Sequence, residues 1–217
     1  MNVEFRPDNP KSVTIFTALA SRPQSSPFHP NDVSELNENE LMLAIREGEL
    51  HHLSTLFELY QIPLFNFFLR LTNDRVMSED FVQDVFIRVL KYRHTYRGDG
   101  TFKGWIFNLA RNICMDHFRK TKREINGIEE QTLAQIPDEN WEGNLERNQA
   151  AHYVQLALSR LSPDYREVLI LSRYHDMKYE EIATMLNCSV AAVKVRVHRA
   201  MKALRTHYFT LTREQGN

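Results

Sequence analysis

The chain has 217 residues, of which 42% are hydrophobic, and its 27 Lys and Arg nearly balance 28 Asp and Glu for a formal net charge of −1. That length allows one domain or two, and the apolar content suffices for folded cores. Two distant cysteines, Cys114 and Cys188, exclude a disulfide framework, and no stretch approaches the ~20 apolar residues of a membrane span. The near-neutral total hides segregation. Between 103 and 123 the cations Lys103, Arg111, Arg119, Lys120, Lys122 and Arg123 meet one acid, Asp116; from Glu124 to Arg147 acids dominate; the last helical stretch is basic again. Two cationic surfaces separated by an acidic connector point to two polyanion contacts rather than to bulk basicity.

Residues 1–37 carry Pro7, Pro10, Pro23, Pro27 and Pro30 among Ser and Asn, and read as a flexible extension. No charged start followed by an apolar run is present, so no signal peptide is expected. A helical pattern opens at Leu41, Leu43, Ala44 and Ile45 and is interrupted by Gly48. Leu53, Leu56, Phe57 and Tyr60 share the next face. Pro63 is expected at the start of a further helix, where its missing N–H does no harm, with Leu64, Phe67, Phe68 and Leu71 as its core stripe.

The next helix is predicted over about Met77 to Arg93. Val82, Val85, Phe86, Val89 and Leu90 form its buried stripe, and Asp80, Gln83, Asp84, Arg88 and Lys91 its polar side. Arg97 to Thr101 reads as a loop, with Gly98 and Gly100 permitting sharp turns. A helix from about Phe102 to Lys120 packs through Phe102, Trp105, Ile106, Leu109 and Ile113. Periodicity fades over 124–147, which reads as an acidic linker. Tyr153, Leu156, Ala157 and Leu161 resume helix, and Ser162-Pro163 starts another through Val168, Leu169 and Leu171.

The most telling stretch is Tyr179 to Leu204, which reads as two helices around a tight turn. Ile182, Ala183 and Leu186 face inward on the first. Asn187 stands where the chain must reverse, since Asn tolerates left-handed backbone, and Ser189 is placed to cap the second helix. On that second helix Val193, Val197, Ala200 and Leu204 share one face, while Lys194, His198, Arg199, Lys202 and Arg205 point elsewhere. No acid lies between Val190 and Phe209. An apolar back with an acid-free basic front suits a major groove; an ordinary helical hairpin with a solvated basic face is the plainer alternative. The fold expected is all-α, with two small helical bundles joined by a flexible acidic linker, the second ending in a helix-turn-helix.

SEDFVQDVFIRVLKYRHTY followed by FKGWIFNLARNICMDHFRK resembles region 2 of bacterial sigma factors, and LSRLSPDYREVLILSRYHDMKYEEIATMLNCSVAAVKVRVHRAMKALR resembles region 4. With nothing substantial between them, the pair is similar to the extracytoplasmic-function (ECF) class of the sigma-70 family. The resemblance implies region 2 over 38–123 and region 4 over 148–210. It implies that the helix bearing Asp80, Gln83, Asp84, Phe86 and Arg88 docks on the β′ subunit of core RNA polymerase, within an assembly that includes β. It further implies that the Arg97–Thr101 loop and the following helix open the −10 promoter box.

The chemistry of these residues suits that role. Asn108 and Asn112 can hydrogen-bond base edges. Arg97, Lys103, Arg111, Arg119 and Lys120 can neutralise phosphates beside Asp99. Tyr96 and Trp105 could stack on bases, although Trp105 lies on the apolar stripe. Region 4 would read the −35 box through Lys194, Arg196, His198, Arg199 and Lys202; which of these read bases and which bind phosphates stays open.

An anti-sigma partner in a stress or envelope response, and a linker threading the polymerase cleft, are further implications. Two features depart from the family pattern: Lys178 stands where Ser or Thr often caps the first helix of the helix-turn-helix, and Asn187 where Gly is common. The rival reading is a simple DNA-binding regulator that acts without polymerase. No phosphate loop, nucleophile or paired-carboxylate site supports an enzyme. No cofactor and no metal are expected, because neither Cys114 with His117 nor His51 with His52 makes four ligands. The expected location is the cytoplasm.

Overall fold

Eight α-helices and no strand make up the described residues, 37–125 and 145–214, of the computed structural model. They fall into two compact units: 37–66 with 76–125, and 67–75 with 145–214.

In the first unit α1 spans Glu38–Glu47. Its start is fixed reciprocally. The Asn37 carboxamide oxygen accepts the N–H groups of Asn39 and Glu40, and the Glu40 carboxylate accepts the Asn37 N–H. Gly48, at φ 112°, ends it in backbone that few L-residues adopt. α2 then runs unbroken from His52 to Thr72 with Pro63 inside it, its residues from Phe67 onward belonging to the second unit. The expected helix start at Pro63 is therefore corrected. An internal proline costs about 3 kcal/mol through its lost donor and ring clash. Leu53, Leu56, Tyr60, Leu64, Phe67, Phe68 and Leu71, all buried, recover more than that by continuing one stripe through the break.

α3 spans Arg75–Tyr92 and is followed by a 3₁₀ turn over Arg93–Thr95. Phe81, Val82, Val85, Phe86 and Val89 are its buried side; Leu90, expected among them, is half-buried. α4 runs over Phe102–Ile125, so the predicted linker begins inside a helix. Ile106, Phe107, Ala110, Ile113 and Cys114 are buried along it.

In the second unit α5 covers Leu145–Ser159 and α6 covers Pro163–Leu169, with proline at its first position, followed by a wider π-type turn over Ile170–Tyr174. Residues 1–36 and 126–144, which include most of the predicted extension and linker, lie outside the described residues. Arg166 ties this unit together. Its guanidinium donates to the carbonyls of Leu158, Ser159, Leu161 and Leu71. Burial lowers its pKa, yet four carbonyl acceptors suit a group that stays charged. α7 spans Tyr179–Met185 and α8 spans Val190–Glu214. α8 continues well past the basic stretch. There Leu211 joins Tyr153 and Ala157 in a small cluster, against which Leu156, Leu204 and Tyr208 pack.

Candidate polymerase and nucleic-acid interfaces

The polar side of α3 is the first candidate surface. Asp80, Gln83, Asp84 and Arg88 are all half-buried there. Arg88 Nη2 lies 3.3 Å from Asp116 Oδ2, so this cation is tied to α4. Phe86 requires a correction. It is fully buried, with its ring centroid 4.9 Å from that of Phe57. The same period that places Val82 and Val89 inward carries Phe86 with them, so it braces the helix and presents nothing to a partner.

The second candidate surface is the loop between the 3₁₀ turn and α4, together with the outer face of α4. Arg97, Asp99 and Thr101 are exposed. Gly98 has φ 76° and Gly100 φ 150°, both in the left-handed half of conformational space. Thr101 Oγ1 accepts the Gly104 N–H at 3.0 Å and so caps the start of α4. Along α4, Asn108, Asn112 and Arg119 are exposed and share a face at intervals of four and seven. Lys120 is exposed beside them, whereas Lys103 and Arg111 are half-buried. Arg119 is not an isolated cation: its Nη2 lies 3.0 Å from Asp116 Oδ1. Asp116 thus holds Arg88 and Arg119 at once. Tyr96, considered for base stacking, is buried; its ring meets Trp105 at 5.1 Å and Phe102 at 6.1 Å. Its hydroxyl pKa is raised by burial first and by Glu38 second, so it remains a donor.

The third surface is the helix-turn-helix. Lysine cannot cap α7 by accepting a hydrogen bond. Glu181 instead accepts the Lys178 N–H at 3.0 Å, which secures the helix start by the acidic half of a capping box. Asn187 adopts φ 48°, the left-handed conformation expected of it. Ser189 Oγ accepts the Ala192 N–H at 3.1 Å, the expected cap of α8. Ile182 and Ala183 are buried, as are Val193, Val197 and Ala200 on α8. Lys194, His198, Arg199 and Lys202 are exposed, and with them Val195. Arg196 is half-buried, because it lies at the edge of the Val193–Val197–Ala200 face.

Glu49, His51 and His52 bring ligand-type atoms within 4.8 Å of one another, a trio that the spacing of the two histidines alone did not reveal. His52 Nε2 stands 3.3 Å from Glu49 Oε2, an arrangement local to the start of α2. The two imidazole rings are 4.0 Å apart and inclined by only 39°. Burial, and then His51, lower the His52 pKa. Both Nδ1 atoms are buried without a hydrogen-bond partner.

Known proteins agree with this layout. The family model described as "Sigma-70 region 2" matches residues 56–124, and the one described as "Sigma-70, region 4" matches residues 151–204. The ECF RNA polymerase sigma factor SigX of Bacillus subtilis (strain 168) is 29% identical over 170 residues, covering 73% of this chain and 84% of that protein. SigM of the same organism is 29% identical over 162 residues, covering 70% and 93%. Among solved structures, the sigma factor RpoE in complex with the anti-sigma factor NepR from Bartonella quintana aligns with a TM-score of 0.59 at 26% identity, over 71% of this chain and 94% of that one. CnrH in complex with the cytosolic domain of CnrY shares the fold, with a TM-score of 0.60 at 22% identity over 77% and 94%. Two matched regions in the family's order, and relatives that span both, place this chain in the sigma-70 family of RNA polymerase sigma factors, in its extracytoplasmic-function class.

Proposed function

We propose that the two units of this sigma factor divide promoter recognition between them. In this reading residues 38–123 dock on the β′ subunit of core polymerase through Asp80, Gln83, Asp84 and Arg88. The same unit opens the −10 box with the Arg97–Thr101 loop and with Asn108, Asn112, Arg119 and Lys120. Residues 148–210 hold the −35 box as intact duplex through Lys194, Arg199, Lys202 and His198, with Arg196 reaching a flanking phosphate.

The observation that carries the reading is the exposed face of α8. It gathers four cations, Lys194, Arg199, Lys202 and Arg205, and a histidine without one acid before Phe209, on a helix that packs against α5, α6 and α7. Such a face gains affinity from phosphates and selectivity from base edges.

The protein performs no covalent step in this scheme and works in the cytoplasm, where polymerase and promoter are. Among the described residues no helix is long and apolar enough to cross a membrane, which is compatible with that location. The complex of the Bartonella quintana relative with an anti-sigma factor supports a similar inhibitory partner here, released on an envelope or stress signal.

Transcription reconstituted from purified core polymerase and this protein, on a library of promoter sequences, tests the proposal. Initiation that depends on the added chain and selects two boxes supports it. Specific duplex binding by the free protein with no gain of initiation on any template would favour a polymerase-independent regulator instead.

A further inference from the structure

The stretch matched to region 2 begins at residue 56, so α1 lies outside it. Yet α1 grips both ends of the loop proposed above to open the strands. We propose that Asn39, on α1, is a positioning residue that presets the Arg97–Thr101 loop to receive an unpaired promoter base. The proposal rests on that role of the loop.

One carboxamide makes three bonds to this segment. Asn39 Oδ1 accepts the Tyr96 hydroxyl at 2.7 Å and the Phe102 N–H at 2.7 Å, while its Nδ2 donates to the Gly100 carbonyl at 2.8 Å. Those partners stand before, within and after the loop. Two further groups on α1 assist. Arg46 Nη1 donates to the Tyr96 carbonyl at 3.0 Å, and the Leu43 methyls lie 3.8 and 3.9 Å from where a side chain on Gly98 would begin.

The loop thus has its ends tied to α1, with Arg97 and Asp99 left exposed. Simple packing needs no carboxamide. What the carboxamide adds is satisfaction of two buried donors and one loop carbonyl in a single geometry. A phenol is protonated at neutral pH and burial only raises the Tyr96 pKa further, so its hydroxyl is a donor in this set. A loop already in its receptive shape does not lose conformational freedom when a base enters, so tighter capture follows from order imposed beforehand.

Asn39→Ala and Asn39→Asp, each assembled into holoenzyme with core polymerase, test this on a promoter that the wild-type holoenzyme opens. Permanganate reactivity of unpaired thymines reads opening on duplex DNA, and binding to the same promoter with a pre-unpaired −10 box reads capture. Asn39→Ala should lower both by about tenfold, as lost positioning does, while core binding and −35 duplex binding stay at wild-type level. Asn39→Asp keeps both acceptor bonds and should fall between the two.

Tyr96→Phe, which removes a single hydroxyl, should give the same pattern in weaker form with only a small loss of thermal stability. Wild-type opening by Asn39→Ala, when Arg97→Ala or Asp99→Ala does impair opening, would overturn the positioning role and leave the loop's role standing. Equal indifference of all five variants would remove the loop's role itself. If core binding is lost in parallel with opening in both Asn39→Ala and Tyr96→Phe, Asn39 serves only the fold and the proposal fails.

Discussion

α4 and α8 are matched in length, at 24 and 25 residues, and both set cations outside an apolar stripe, yet they are secured in opposite ways. The start of α8 is fixed by polar groups close in sequence: Asn187 reverses the chain, and Ser189, immediately before the helix, caps it. α4 is positioned from afar. Besides its Thr101 cap, its first N–H bonds Asn39, a residue 63 positions earlier, and its Asp116 reaches back 28 residues to Arg88. The cations differ as well. Those of α8 share their helix with no acid before Phe209, whereas Arg119 on α4 is paired with Asp116. A duplex reader needs an open field of charge on a rigid rod. A strand-opening element, the role proposed for α4 and its loop, needs a shaped loop beside cations held in place, and long-range polar bonds suit that need.

Charge reversal on α3 should separate the two helices' tasks most sharply. Asp84→Arg should weaken association with core polymerase by about a hundredfold or more, because like charges at an interface cost several kcal/mol. Its upstream duplex contacts should be unaffected in a gel-shift of pre-mixed components. Arg199→Ala should do the converse, with promoter-dependent transcription falling roughly tenfold for a loss of ~1–3 kcal/mol while co-purification with polymerase persists. Matching defects of both variants in both assays would break the division of labour.

Smaller changes sharpen the contrast in how the helices are held. Ser189→Ala should cost about 1 kcal/mol of stability through the lost cap of α8, seen as a lowered melting temperature. Asp116→Asn should free Arg119 and Arg88 on the other helix. The salt dependence of promoter binding should then steepen by up to about one unit as Arg119 neutralises a phosphate, and an unchanged slope would show that Arg119 meets none.

The smallest effect separates the two units by pH. The folded chain holds the His52 pKa below its ordinary 6.5, mainly through burial and then through His51. The unfolded chain therefore binds the proton more readily, and stability present above 6.5 declines as the pH falls through that value. Melts followed between pH about 7.5 and about 5.5 should show this slope in the wild type and a flatter one in His52→Gln.

Much of this organisation is legible in the sequence. Val193, Val197 and Ala200 are buried as their spacing predicts, and Val82, Val85 and Val89 likewise. The turn residues Gly98, Gly100 and Asn187 all adopt the positive φ that their identity suggests. Phe86 departs from the role the family resemblance implies, because the helical period buries it. Pro63 starts no helix, because a stripe that continues on both sides outweighs its local penalty. Tyr96 reads as available for stacking until its neighbours in space are known. Asn39 gives no sign at all beyond its place near a helix start.

What the chain's own pattern determined is whatever depends on residues within a turn or two of each other: helix phase, caps, the reversal at Asn187 and the acid-free front of α8. Such features are short-range, so composition and spacing encode them completely. The tertiary structure alone decided which polar groups meet: Asn39 with Tyr96, Gly100 and Phe102; Asp116 with Arg88; Arg166 with Leu71. A hydrogen bond between residues tens of positions apart leaves no periodicity in the chain. It exists only once burial of the apolar stripes has brought its partners within reach.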